Sequence, residues 1–100
     1  MPEASITREE MFAICARFIE MYKGYKLIAI DSQKVATQLA RFVDGSTVDD
    51  WAKVYAASVT KCGLVTGSPV ESGFALSPQN PITRAEVAVV LNRAIALQEQ

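Results

Sequence analysis

A chain of 100 residues, half of them hydrophobic and with a formal net charge of −1, is long enough for one small globular domain around a modest core. Acidic and basic residues are interspersed, which excludes the basic stripe that nucleic acid or an anionic membrane surface would need; no apolar run approaches the roughly 18 residues of a membrane span. Glu3, Glu9 and Glu10 make the start unlike a signal peptide, so work outside the cell would imply that this chain is a domain of a longer protein.

In chain order, the first predicted element is a helix. Met11, Ile14, Cys15, Phe18, Ile19 and Tyr22 recur at the spacing of an apolar helical stripe, and Gly24 is placed to stop it. The connection that follows holds a short apolar stretch and then a short helix from about Ser32 to Arg41. The next helix carries Trp51, Val54, Tyr55, Ser58, Val59 and Cys62 on one stripe, with Trp51 read as core, and Gly63 ends it. Asp49 and Asp50 favour the dipole of its first turn. Residues 63–81 are rich in Gly, Pro, Ser and Asn and read as an ordered loop, with a small strand pair expected at Leu64–Thr66 and Phe74–Leu76. The last helix has Val87, Val90, Leu91, Ala94 and Ile95 on its stripe. The fold class that results is all-α, a single domain over residues 1–100 with a minor strand pair and no flexible linker.

Catalysis finds little support. The chain has no histidine, no Gly-rich phosphate loop, no nucleophile elbow and no carboxylate pair that the helical pattern brings together, so no catalytic residue, metal site or cofactor is expected. Cys15 and Cys62 both fall on apolar helix faces, where cysteine acts as a small hydrophobe; a mutual disulfide is the other reading.

The first and last helices are related position by position. Ile6-Thr7-Arg8 matches Ile82-Thr83-Arg84, Glu10 matches Glu86, Arg17 matches Arg93, and the apolar positions coincide. A constant shift of this kind marks an internal repeat whose unit ends in a helix. Thr7 with Glu10, and Thr83 with Glu86, fit the T-x-x-E capping box, and the preceding isoleucines suit a hydrophobic staple with Met11 or Val87. Capping does not explain the arginines. A cation in the first turn of an exposed helix is unfavourable by about 0.3–1 kcal/mol. One reading is structural, a guanidinium tying down loop carbonyls with a nearby glutamate offsetting its charge. The other is a ligand site, where the planar fork beside helix-start N–H groups meets a carboxylate.

The order of motifs resembles the S-layer homology (SLH) family. Phe42 and Asp44 fit its F-x-D opening, and Trp51-Ala52 fit its helix signature. Gly63-Leu64-Val65-Thr66-Gly67 fit its central turn, Phe74 and Pro78 its loop, and Ile82-Thr83-Arg84-Ala85-Glu86 its I-T-R-A-E helix start. Residues 42–97 read as one complete motif and 5–24 as the C-terminal part of a preceding one. Two departures stand out: Glu9 replaces the alanine of T-R-A-E, and Ser68-Pro69 with Glu71-Ser72-Gly73 replace a tyrosine and an Asp-Gly turn.

The resemblance implies a helical module that holds a secreted bacterial protein non-covalently on the cell wall, in the wall or S-layer outside the cell, by binding a pyruvylated secondary cell-wall polysaccharide in grooves between motifs. Carried over, the ligand-binding roles fall on Arg84, Arg8, Asp44, Trp51 and Gly67. Each also has a plainer reading: Trp51 as core, Asp44 as the cap of a turn with Ser46 and Thr47, Gly67 as a positive-φ residue. The rival class of function is a protein-interaction or oligomerisation module that keeps the SLH scaffold without the sugar site. Self-association or a neighbouring SLH motif then covers the Arg84 face.

Overall fold

A computed structural model describes residues 6–26 and 31–98. Four helices carry the fold: α1 (Arg8–Tyr22), α2 (Ser32–Leu39), α3 (Lys53–Lys61) and α4 (Arg84–Ala96). Short 3-10 turns at Gly45–Thr47 and Asp50–Ala52 lead into α3, and an antiparallel pair, β1 (Ser68–Val70) and β2 (Gly73–Ala75), interrupts the loop before α4. The all-α class with a minor strand pair is therefore what the chain adopts. The apolar stretch expected after Gly24 falls largely at residues 27–30, outside the described residues.

Local chemistry explains the helix ends. Both expected capping boxes form: the hydroxyls of Thr7 and Thr83 accept from the N–H of Glu10 and Glu86, whose carboxylates accept from the threonine N–H. Asp31 caps α2 by accepting from the N–H of Gln33 and Lys34. Gly24 closes α1 at φ 73°. Past α3, Gly63 turns at φ 85° and Val65 N–H donates to the Val59 carbonyl, so Leu64 and Val65 drop into the core.

That closure corrects the expected strand pair. Leu64 and Val65 finish α3 and are buried, so they are not free to form a ladder. The first strand starts at Ser68, and the register Ser68 to Ala75 and Val70 to Gly73 leaves Glu71-Ser72 as a two-residue turn.

The core lies where α1 meets α3, with α2 and α4 packed beside them. Phe12, Ile19, Leu64 and Leu76 are its largest fully enclosed side chains, each contributing about 1.5–3 kcal/mol. The buried face of α3 and the turn before it is Ala52, Ala56, Ala57 and Val59, rotated from the expected stripe. Trp51, expected in the core, is 52% exposed: the 3-10 turn ahead of α3 takes it out of phase with the helix. Small residues on this face let the helices approach closely. The same rotation occurs in α1, where Phe12 and Ala16 are buried while Ile14 and Tyr22 face outward. In α4 only Val90 and Ala94 are buried, and Leu91 and Ile95 of the expected stripe are exposed. Both cysteines are free: Cys15 is buried, its thiol pushed up to about 11 by burial and by Cys62, and Cys62 is half-buried.

Candidate functional site

The repeat brings the two helix starts side by side. Thr7 and Pro81 form an isolated antiparallel bridge, and Ile82 N–H donates to the Ile6 carbonyl at 3.0 Å. Two further backbone bonds cover the first turn of α1: Arg8 N–H donates to Asn80 O (2.9 Å) and Glu9 N–H to Pro78 O (3.0 Å). Orphan donors of a helix start are thus satisfied by the loop that leads into the other helix.

Arg8 is only 9% exposed. Its Nε donates to the Leu76 carbonyl at 2.7 Å, its Nη1 pairs with the Glu86 carboxylate, and its guanidinium lies 5.7 Å from the Phe12 ring centre. Burial lowers its pKa and the Asp44 carboxylate opposes that shift, but an arginine stays charged.

Asp44 works from the other side of the same loop. Its two carboxylate oxygens accept from the N–H of Leu76 and of Ser77, both at 2.8 Å, and Ser77 is held at φ 49°. The local turn that the sequence assigns to its side chain is made by its backbone carbonyl, which accepts from the N–H and hydroxyl of Thr47. Gln79 donates to the Thr47 carbonyl and Val43 N–H to Phe74 O, so the 42–48 and 74–80 segments are stitched together.

Between α1, the turn after α3 and α4 lies a groove of about 240 Å³, lined by Arg8, Phe12, Gly67, Glu86, Val89 and Arg93 among others. Gly67 has φ 79°, and a Cβ there would sit 3.1 Å from the Phe42 ring and 3.2 Å from the Ala75 carbonyl, so both conformation and space call for glycine. A larger groove of about 640 Å³ between α2 and residues 42–54 is mainly apolar, lined by Val35, Leu39, Phe42 and Val54, with Asp50 and Lys53 at its edge.

Of the five residues singled out from the sequence, Arg8 and Gly67 share the smaller groove, and Asp44 sits behind Arg8 holding the loop that Arg8 also grips. Trp51 lies elsewhere, on the surface turn before α3. Arg84 is exposed and, among the described residues, makes no hydrogen bond or ion pair. Two residues of the site were not singled out. Arg93 enters the groove from the last turn of α4, where its Nη1 donates to the Leu64 carbonyl at 3.2 Å. Glu86, read only as a cap residue, also carries the counter-charge of Arg8. The signal for Arg93 was present in its match to Arg17.

Glu9, the departure from T-R-A-E, is 3% exposed. Its carboxylate accepts from the Asp49 N–H at 3.1 Å; burial, and secondarily the Asp49 carboxyl beside it, raises its pKa. It pins the start of α1 to the turn that carries Trp51. No helix among the described residues is long and apolar enough to cross a membrane, and no group of three or more acidic, histidine or cysteine side chains gathers there to hold a metal.

Comparison with known proteins adds the family. An amylopullulanase of Thermoanaerobacterium thermosulfurigenes is 37% identical over 90 residues, covering 90% of this chain and 4% of the enzyme. Exoglucanase XynX of Acetivibrio thermocellus is 36% identical over 90 residues, covering 90% of this chain and 7% of that protein. A surface-layer 125 kDa protein of Lysinibacillus sphaericus is 42% identical over 57 residues, 57% of this chain and 5% of that protein. The chain therefore spans well under a tenth of the length of these relatives. No solved structure matches it. The match of residues 41–88 to the S-layer homology domain, on the helical scaffold and motif positions described above, places the chain in the S-layer homology family.

Proposed function

We propose that this chain is a non-covalent anchoring module that holds a longer secreted protein on a bacterial cell wall by binding a secondary cell-wall polysaccharide. One observation carries the reading. The relatives bear names as different as amylopullulanase, exoglucanase and surface-layer protein, yet share this small segment, which makes up 4–7% of each. What such proteins have in common is a place at the cell surface and not a reaction, so the segment's role is attachment and not catalysis.

Residues 42–97 act in this reading as one full motif and 5–24 as the closing helix of another, with the groove between them as the polymer site. Arg8 and Gly67 shape that groove and Asp44 fixes its loop. Trp51 and Arg84 stand outside it and contribute where a further motif packs against the chain.

Co-sedimentation with Gram-positive sacculi tests this directly. The chain is expected to pellet with intact sacculi, to stay in solution with sacculi stripped of their secondary polymer, and to bind less as the double variant Arg8→Ala, Arg84→Ala. Equal pelleting with stripped sacculi would refute polymer recognition.

A second reading rests on a separate observation. Arg8 is already neutralised by Glu86, while Leu91 and Ile95 of α4 and Ile14 and Tyr22 of α1 are exposed, as an interaction module would require. It predicts concentration-dependent self-association in sedimentation velocity without any affinity for sacculi.

A further inference from the structure

The groove holds two arginines and one acid, and their commitments differ. Arg8 spends its charge on Glu86 and its Nε on the Leu76 carbonyl, deep in the wall. Arg93 has one engaged donor, the bond from Nη1 to Leu64 O, and among the described residues no acid pairs with it. A guanidinium has five N–H donors, so most of the Arg93 fork remains open. Among the charged residues lining the groove, Arg8 and Glu86 cancel and the surplus positive charge belongs to Arg93.

The repeat supplies an internal control. Arg17, the counterpart of Arg93 in α1, donates to the Tyr55 hydroxyl at 3.2 Å and lies 5.4 Å from that ring's centre. Its flat face is covered by the tyrosine. No aromatic ring lies over Arg93 among the described residues, and its guanidinium borders a cleft walled by Phe12, Leu64, Val65, Val89 and Val90. Apolar walls lower the local dielectric and strengthen a charge-assisted bond made there.

We infer that Arg93 is the residue that receives the carboxylate of an acidic sugar in this groove, with Arg8 and Glu86 forming a neutral buttress behind it. This rests on the anchoring function proposed above. The Arg93 fork takes the two carboxylate oxygens side by side, while the sugar ring lies along the valine wall. It is a ligand-binding role that the helix-start arginines do not fill: Arg8 is already paired, and Arg84 does not line the groove.

The test uses the full chain and sacculi whose carboxylates are intact or have been reduced to alcohols by carbodiimide and borohydride. Arg93→Gln is the primary variant, because the glutamine amide can still donate to Leu64 O while the charge is gone; Arg93→Lys keeps the charge without the fork. On intact sacculi, Arg93→Gln is expected to bind about tenfold more weakly than the parent and Arg93→Lys to fall between them. On reduced sacculi, all three are expected to bind equally and weakly. Equal binding of parent and Arg93→Gln to intact sacculi would overturn the role of Arg93 while leaving the anchoring function in place. So would a tenfold loss that persists unchanged on reduced sacculi, since the arginine would then be reading something other than a carboxylate. Failure of the parent chain to bind intact sacculi would overturn the anchoring function itself, and this inference with it. A thermal melt of each variant reports whether the fold is kept, and Arg93→Lys serves as the deciding variant if Arg93→Gln melts early.

Discussion

The starts of α1 and α4 have nearly the same sequence, Ile-Thr-Arg followed by a capping glutamate, yet their arginines lead different lives. At both starts the capping box forms with the same partners. At α1 the first-turn N–H groups reach Asn80 and Pro78, and Arg8 is buried between Leu76 O and Glu86. At α4, among the described residues, no loop carbonyl accepts from the N–H of Arg84 or Ala85, and the arginine is exposed. Local sequence therefore sets the cap, whereas the role of the arginine is set by what packs over it. The open start is a spare copy of a contact that the chain already makes once.

The sharpest way to break this comparison is to remove each arginine in turn. Arg8→Ala leaves Leu76 O without its partner and the Glu86 carboxylate without its cation, and is expected to cost about 3 kcal/mol in urea denaturation. Arg84→Ala is expected to stay within about 0.5 kcal/mol of the parent, since it touches nothing and relieves a cation at a helix N-terminus. Comparable losses at the two sites would show that the helix starts are equivalent after all.

Next in size is Asp44→Ala, which leaves the N–H groups of Leu76 and Ser77 unsatisfied and lets go of the loop over α1. A loss of about 2 kcal/mol is expected, with a melting temperature lower by roughly 8–16 °C. Asp44→Asn should recover part of it, because one side-chain oxygen remains to accept. The caps come third: Thr7→Ala and Thr83→Ala are each expected to cost about 1 kcal/mol. Near-equal values would confirm that capping is local; a much larger loss at Thr7 would mean that the cap and the loop contact are coupled.

Smallest is a pH effect that only the α1 start can show, since Ala85 stands where Glu9 does. Burial, with Asp49 beside it, raises the Glu9 pKa, so the folded chain holds this proton more tightly than the unfolded chain. Stability from this group is present below the unfolded value of about 4.3 and is lost as pH rises through the raised folded value. Glu9→Gln keeps an oxygen for the Asp49 N–H and removes the charge, so it should melt higher than the parent at pH 7, with the difference shrinking toward pH 4. A difference that is constant with pH would mean that the carboxylate's charge is not what matters.

Much of this was legible in the sequence, and the limits have a physical pattern. Caps, stop glycines and the helix spans depend on residues within four positions, and all of them appeared as read. The Trp51 stripe failed because a 3-10 turn changed the phase of a helix that was counted as continuous. The strand pair slipped because Leu64 and Val65 were claimed by the core before they could enter a ladder. Partners of Arg8 and Asp44 lie 68 and 32 positions away in the chain, and no periodicity reports on contacts of that range. The repeat came nearest to doing so, since it paired the two starts that the fold sets side by side.

The bridge between Thr7 and Pro81, with the Ile82 to Ile6 bond beside it, has a mechanical consequence. A tether pulled from ahead of Ile6 and from beyond Ala96 delivers its tension to this clasp and then along α4, a path of about 20 Å. The chain between the two clasped segments, including α2, α3 and the hairpin, lies outside that line of force and bears no load until the clasp gives way. The fold is thus wired as a strap with a buckle, in which the strength under pull is set by a few backbone bonds at one end and not by the size of the core.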